Sequence, residues 1–378
     1  PAAVSGRVLL ALVLGQIGIH AAMSGLRMAA PLQALRDGAG AWTVGLLMAL
    51  FAAAPVLLAM GAGRMADRHG YHRPVHLAAT LTLLGALFAV ASTVAAGRLQ
   101  LGLLALGAMS AGAGANIGLI AIQRTAALAA ADGVERVRIF SWLGVAPSIS
   151  NVIGPVAAGF AIDLGGFRAA YGLLLLLPLL TLWAARRVPR RDPRAGAEAA
   201  TPRRSARSLL AAPGMKRLLV VNGLISACWD VHAFAVPILG HALGFSASTI
   251  GLILGSFTLS VTLIRLAVPA IAHRLREVTV LRGAMLGTAA VFATYPWAGS
   301  PWTMGALAML LGVTLGIVQP MIMSTLHHLT PDRRHGEALA LRSMAINASS
   351  ALLPLLFGAA GVAIGAAALF WAVGVAVG

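Results

Sequence analysis

Charge is scarce in this chain. Only 10% of its 378 residues are charged, whereas soluble globular domains carry about 25%. A surface so poor in charge faces something other than water. Acidic residues are the rarest of the charged class, 11 against 28 Lys plus Arg. Lysine occurs once, at Lys216, in a chain rich in arginine and alanine, a composition that fits a bacterial source. Cysteine also occurs once, at Cys228, which excludes a disulfide framework and any zinc site built on cysteines. Its apolar surroundings predict a buried, inert thiol. No phosphate-binding glycine loop points to ATP use. No cluster of His, Asp and Glu has metal-ligand spacing, and no nucleophile stands beside a base. Neither an enzyme, a metal centre nor a resident cofactor is expected.

Hydrophobic residues make up 59% of the chain, and they are gathered into runs. Each run is about 20 residues long, enough to cross a bilayer core of about 30 Å. Twelve such segments are read, roughly 8–31, 42–63, 75–96, 99–122, 139–162, 169–186, 217–240, 248–271, 279–297, 302–326, 338–358 and 360–377. Spanning segments follow the first run along the whole chain, so that run does not read as a cleaved signal peptide. The net charge of +17 could suggest a nucleic-acid partner. Its placement argues otherwise, because the basic residues punctuate apolar runs and do not interleave with aromatics on a polar domain.

Only one interruption is long. Residues 187–216 are polar, Arg-rich and Pro-containing, a linker with no core of its own. It divides the segments six and six, which predicts a six-helix bundle over 1–186 and another over 217–378. All Lys and Arg except Arg27, Arg36, Arg98, Arg168 and Arg265 lie in or beside alternate connections: the N-terminus, 64–73, 124–138, 186–217, 274–282 and 333–342. The positive-inside rule therefore places both termini and the linker on the cytoplasmic side of a bacterial inner membrane.

The two halves also repeat. Thr43-Val-Gly-Leu-Leu opens segment 2, and Thr249-Ile-Gly-Leu-Ile opens segment 8. The same offset sets Pro31 on Pro237 and Ser24 on Asp230. A slightly smaller offset sets Pro155 and Gly159 of segment 5 on Pro354 and Gly358 of segment 11. Equal segment numbers with matching punctuation indicate duplication. Two such halves related by an axis along the membrane normal are one known transporter architecture.

A second signature follows segment 2: Gly63-Arg-Met-Ala-Asp67-Arg68-His-Gly70-Tyr-His-Arg73. Gly63 permits close helix approach. Gly70 can take a turn conformation closed to most residues. Asp67, at a helix end in the cytoplasmic interface, can accept from a neighbouring helix N-terminus or pair with an arginine. The string resembles the loop 2–3 motif of the major facilitator superfamily, G-x-x-x-D-R-x-G-R-[RK]. Gly63, Asp67, Arg68 and Gly70 match; Tyr71 and His72 replace basic residues, with Arg73 beyond them. The corresponding stretch of the second half, Ala270 to Glu277, is degenerate. In segment 5, Gly144, Gly154, Pro155 and Gly159 partly fit the family's motif associated with proton-driven exporters, against an equal chance of an ordinary kinked, closely packed helix. Segment 4 lacks the membrane-embedded arginine usual in drug–proton exporters. The resemblance implies an all-α membrane protein of twelve helices working as a monomer by alternating access, with the Gly63–Arg73 string as a conformational latch.

Charges inside spanning segments are costly and are functional candidates by default. Asp230, halfway along segment 7, is the one acidic residue that lies deep. An aspartate deprived of hydration ionises only at a cost, which suits a proton carrier; a structural hydrogen-bonded aspartate is the plainer alternative. His20 and Arg27 share one face of segment 1, about 10 Å apart. Arg27 could pair with Asp230 across an aqueous space, clamp an anionic substrate, or snorkel to the interface. Ser24, Asn116, Asn151, Asn222, Trp229, His232, Gln319 and Asn347 complete the candidates for a substrate cavity; the amides are equally explicable by hydrogen bonds between helices, and Trp229 is better explained by plain packing. Arg265, late in segment 8, reads as a gate. The expectation is a secondary transporter in the lipid bilayer, exporting a small organic molecule in exchange for protons. An organic-anion carrier with Arg27 as the clamp is the alternative; a sensor or a channel is less favoured.

Overall fold

The computed structural model describes residues 6–129, 133–190, 210, 213–271, 277–330 and 335–377. The apolar runs become helices: α1 (Gly6–Arg36), α2 (Ala41–His69), α3 (His72–Ser92) and α4 (Gly97–Ala129). A long helical run, Gly133–Ala185, is broken at Gly166, whose φ of 73° and ψ of −176° no helix contains. It therefore holds two helices, α5 over 133–165 and α6 over 167–185. After the linker come α7 (Met215–Ala242), α8 (Ala247–Ile271), α9 (Glu277–Thr294), α10 (Pro301–Leu329), α11 (His335–Ile364) and α12 (Ala366–Val377). A single 3-10 turn, Tyr295–Trp297, follows α9. Among the described residues there is no strand.

Each of the twelve apolar segments stands as a helix, which gives the all-α membrane architecture. Nine described stretches are long and apolar enough to cross a membrane; one of them, Trp142–Ala185, takes in most of α5 and all of α6. Shorter apolar helices cover Ala348–Val362 and Ala368–Val377. Large apolar side chains such as Leu57, Leu164, Trp302 and Val375 are mostly exposed, as they are where lipid replaces water. Several boundaries differ from the hydropathy reading, and two of them reshape named stretches. The break before α12 falls at Gly365, whose φ is +82°, and not near residue 359. α2 runs on to His69, so Gly63, Asp67 and Arg68 are helical and only Gly70, at φ +67°, makes the turn. Hydropathy marks where lipid contact ends; backbone hydrogen bonding continues into the interface.

The described residues form two compact units. One gathers Pro1–Gly38, Leu50–Ala200 and Ser246–Gly255. Its core packs Leu12, Tyr71, Val75, Ile122, Ile139 and Leu143. The other gathers Ala39–Ala49, Thr201–Phe245 and Ser256–Gly378, with Met215, Leu218, Val318, Ile322 and Leu326 packed together.

Each unit contains several crossings built on glycine, and one of them matches its counterpart in the other unit residue for residue. In the first, a Cβ on Gly251 would lie 2.5 Å from the Pro155 carbonyl oxygen, and one on Gly159 would lie 2.5 Å from that of Ala247. In the second, Gly45 faces the Pro354 carbonyl, and a Cβ on Gly358 would lie 3.2 Å from the Ala41 carbonyl oxygen. The offsets that align Thr43 with Thr249 and Pro155 with Pro354 carry every member of one crossing onto the other. Small residues here let backbones approach closely, the main device for helix association in lipid.

Candidate functional site

In the first unit, α1 and α5 cross tightly. Ser24 Oγ donates to the carbonyls of Ser150, at 2.9 Å, and Ala21, at 3.2 Å. Gly154 lies against it; a Cβ there would sit 2.5 Å from the Ala21 carbonyl oxygen. The Ser24 hydroxyl is thus used in packing, a correction to its reading as a cavity group. Pro155 keeps its place in the helical run, and its carbonyl receives Gly251. Gly154, Pro155 and Gly159 therefore form a stripe of close approach on α5. Asn116 Nδ2 donates to the Pro55 carbonyl at 3.4 Å, tying α4 to α2. His20 and Arg27 are half-buried on α1, and Asn151 is half-buried on α5.

At one end of the same unit, Asp67 on α2 pairs with Arg124 on α4, Oδ1 to Nε at 2.7 Å. Of the two partners foreseen for Asp67, the arginine is the one observed. Asp67 is 69% exposed, so the pair is worth at most about 1 kcal/mol. Arg68 and Arg73 are exposed. Arg124 was not singled out from sequence. It lies just past apolar segment 4, and only the continuation of α4 to Ala129 brings it to α2.

In the second unit, three polar groups of α7 take three different surroundings. Asp230 is 3% exposed, and its Oδ2 accepts from Ser350 Oγ of α11 at 3.0 Å. His232 is 200° further round the helix. Its Nε2 lies 3.2 Å from the Tyr295 hydroxyl, and its ring packs on Phe257 at 4.4 Å between centroids. Tyr295 in turn stacks on Phe370. His232 is thus part of an aromatic core and not of an open cavity. Burial of both its neighbours in apolar packing explains why.

Asn222, two helical turns before Trp229, is buried and accepts from Arg342 Nε of α11 at 3.1 Å. Trp229 meets Phe257 edge-on at 4.6 Å, and the Arg265 guanidinium of α8 lies 6.0 Å from the Trp229 ring centre. Arg265 therefore joins the α7 face and is not isolated at a helix end. Arg342 and Ser350 escaped the sequence reading. Arg342 was counted among loop charges, although it falls inside apolar segment 11 at a helical position, which is the signal that could have found it. Gln319 is half-buried on α10. The side chain of Asn347 lies outside the described residues. Among those residues no group of three or more His, Cys, Asp or Glu could hold a metal ion.

The comparisons agree with this geometry. Residues 12–229 and 218–378 match the family model described as Major Facilitator Superfamily. The chain is 26% identical over 313 residues to the enterobactin exporter EntS of Salmonella choleraesuis (strain SC-B67), covering 80% of this chain and 72% of that one. It is 25% identical over 324 residues to the class B tetracycline resistance protein of Escherichia coli, covering 83% and 77%. Among solved structures, a POT family transporter in complex with 5-aminolevulinic acid superposes with a TM-score of 0.77 at 12% identity, covering 98% of this chain and 94% of that one. A bacterial homologue of the iron transporter ferroportin, in its inward-facing state, gives 0.71 at 17% identity, covering 98% of both chains. With twelve helices among the described residues, two units that share a matching glycine crossing and the Asp67–Arg68 string, the chain belongs to the Major Facilitator Superfamily, a secondary transporter.

Proposed function

We propose that the protein is a proton-coupled exporter of a small organic molecule, multi-pass in the cytoplasmic membrane, with both ends of the described chain and the 187–216 linker facing the cytoplasm. The observation that carries the coupling is Asp230. It is a carboxylate in the middle of α7, nearly inaccessible, and it accepts from the Ser350 hydroxyl among its partners. The energy of an ionised carboxylate depends on how much water and which charges surround it. Its protonation therefore differs in energy between a state open to water and a state closed to it, and that difference is what couples a proton gradient to alternating access. Export is supported by two relatives, an enterobactin exporter and a tetracycline resistance protein. The bundles over 1–186 and 217–378 are the moving bodies in this reading, and the Asp67–Arg124 pair is the latch.

The test uses proteoliposomes with an imposed pH gradient, with tetracycline and enterobactin as the first cargoes tried. Asp230→Asn keeps the size and the hydrogen-bonding capacity of the side chain but cannot carry a proton. Gradient-driven flux is expected to fall to the level of empty liposomes, while thermal stability stays near that of the parent. Undiminished gradient-driven flux in this variant would overturn the coupling role.

A further inference from the structure

Three nitrogen donors of the second unit are buried with no acceptor among the described residues: Asn222 Nδ2, Arg265 Nε and Arg342 Nη2. They come from three helices, α7, α8 and α11. Asn222 and Arg342 touch through the 3.1 Å bond from Arg342 Nε, and Arg265 reaches the same face of α7 at Trp229. Arg342 is 7% exposed and Asn222 4%.

The positions are also at one level. Asn222 lies seven residues into α7, Arg342 seven into α11, and Arg265 six before the last residue of α8. Chain alternation puts those three helix ends on the same membrane face, so the cluster sits about 10 Å inside it. Two guanidiniums held near each other in an apolar layer repel. Water can satisfy a lone N–H but does not neutralise the charge. An oxyanion does both, because its lone pairs accept from guanidinium and amide donors together. Trp229 closes one side. It lies on the Asn222 face of α7, two turns on, and holds Arg265 near its ring.

We propose that Asn222, Arg265 and Arg342 form a binding site for the acidic group of a small organic acid, with Trp229 as the wall for its apolar body. The inference rests on the transport reading only for its purpose, since it would make organic acids the cargo class. Its chemistry stands apart from Asp230.

The experiment is a thermal-shift and calorimetric titration of the purified full chain in detergent, at constant ionic strength set with chloride. The probes are benzoate, an oxyanion on an aromatic body, and sulfate, an oxyanion without one. Saturable stabilisation by benzoate and none by sulfate is expected. Arg342→Gln should weaken benzoate binding by about tenfold or more, the loss of one charge-assisted contact, and Arg342→Lys should restore part of it. Should Arg342→Gln not fold, Arg265→Gln supplies the same comparison from the other guanidinium. Equal stabilisation by sulfate would reduce the site to a bare-anion site and overturn the proposal. Benzoate binding that is absent, or unchanged in both Gln variants, overturns it too. Binding is read without a gradient, so Asp230→Asn should bind benzoate like the parent. Loss of the anion site with intact gradient-driven flux of another cargo sinks this inference alone; anion binding without proton-driven flux sinks the exporter reading alone.

Discussion

At the scale of single residues, three polar groups on α7 show how neighbours decide roles. Asp230 meets a hydroxyl, His232 an aromatic core, and Asn222 an arginine. All three were candidates from sequence, Asp230 as a proton carrier and the other two as cavity groups, because polarity in an apolar run says that a partner is needed and not which one. Ser24 makes the same point: its hydroxyl is absorbed by the α1–α5 crossing. That crossing yields a prediction. Gly154→Val forces a side chain against Ser24 and the Ala21 carbonyl and should cost about 1–3 kcal/mol, seen as a lowered melting temperature in detergent. A change at Gly223, where a Cβ would meet nothing within 4 Å, should leave it unaltered. Equal melting temperatures for the two variants would mean that the crossing is looser than the distances imply.

At the scale of elements, helix ends carry the polar structure. The N-terminus of α8 is capped twice. Asp163 of α5 accepts from the backbone N–H groups of Ala247, at 3.0 Å, and Ser248, at 2.8 Å. Ser246 Oγ accepts from Thr249 N–H at 3.2 Å. The helix dipole favours a carboxylate at that place. The matching position of the other repeat holds Val362, so this cap belongs to one unit alone. Asp163→Ala should cost about 1 kcal/mol of stability, and the double variant with Ser246→Ala should lose more than either single change, measured by thermal denaturation. A double variant no worse than Asp163→Ala would show that Ser246 adds nothing. Element identity was legible from apolar runs, but element ends were not. Asp67 and Arg124 meet because α2 and α4 both run past their apolar segments, and nothing in a hydropathy pattern reports backbone continuing into the polar interface.

At the scale of the whole molecule, the alternation of charged and uncharged connections predicts orientation. The single native cysteine makes this testable, since Cys228 is buried and should resist a membrane-impermeant maleimide until the protein is denatured. In a background with Cys228→Ser, a cysteine at exposed Ala96, between α3 and α4, should label in intact cells. One at exposed Arg190, after α6, should label only in inverted vesicles. The opposite pattern would invert the topology and move the Asp67 string and the linker to the outer face.

The sequence by itself determined the class of environment, the number of helices and the duplication. These depend on local quantities, namely apolar run length, loop charge and the recurrence of glycine and proline, all of which survive without knowledge of contacts. The tertiary structure decided which glycines meet which carbonyls, which arginine Asp67 takes, and that Asn222, Arg265 and Arg342 leave donors buried on neighbouring helices. In an almost wholly apolar helix no face is marked as inward by its pattern. Orientation about each helix axis is set by packing against neighbours from distant parts of the chain, and packing alone placed one arginine on Asn222 and a second beside Trp229 of the same helix.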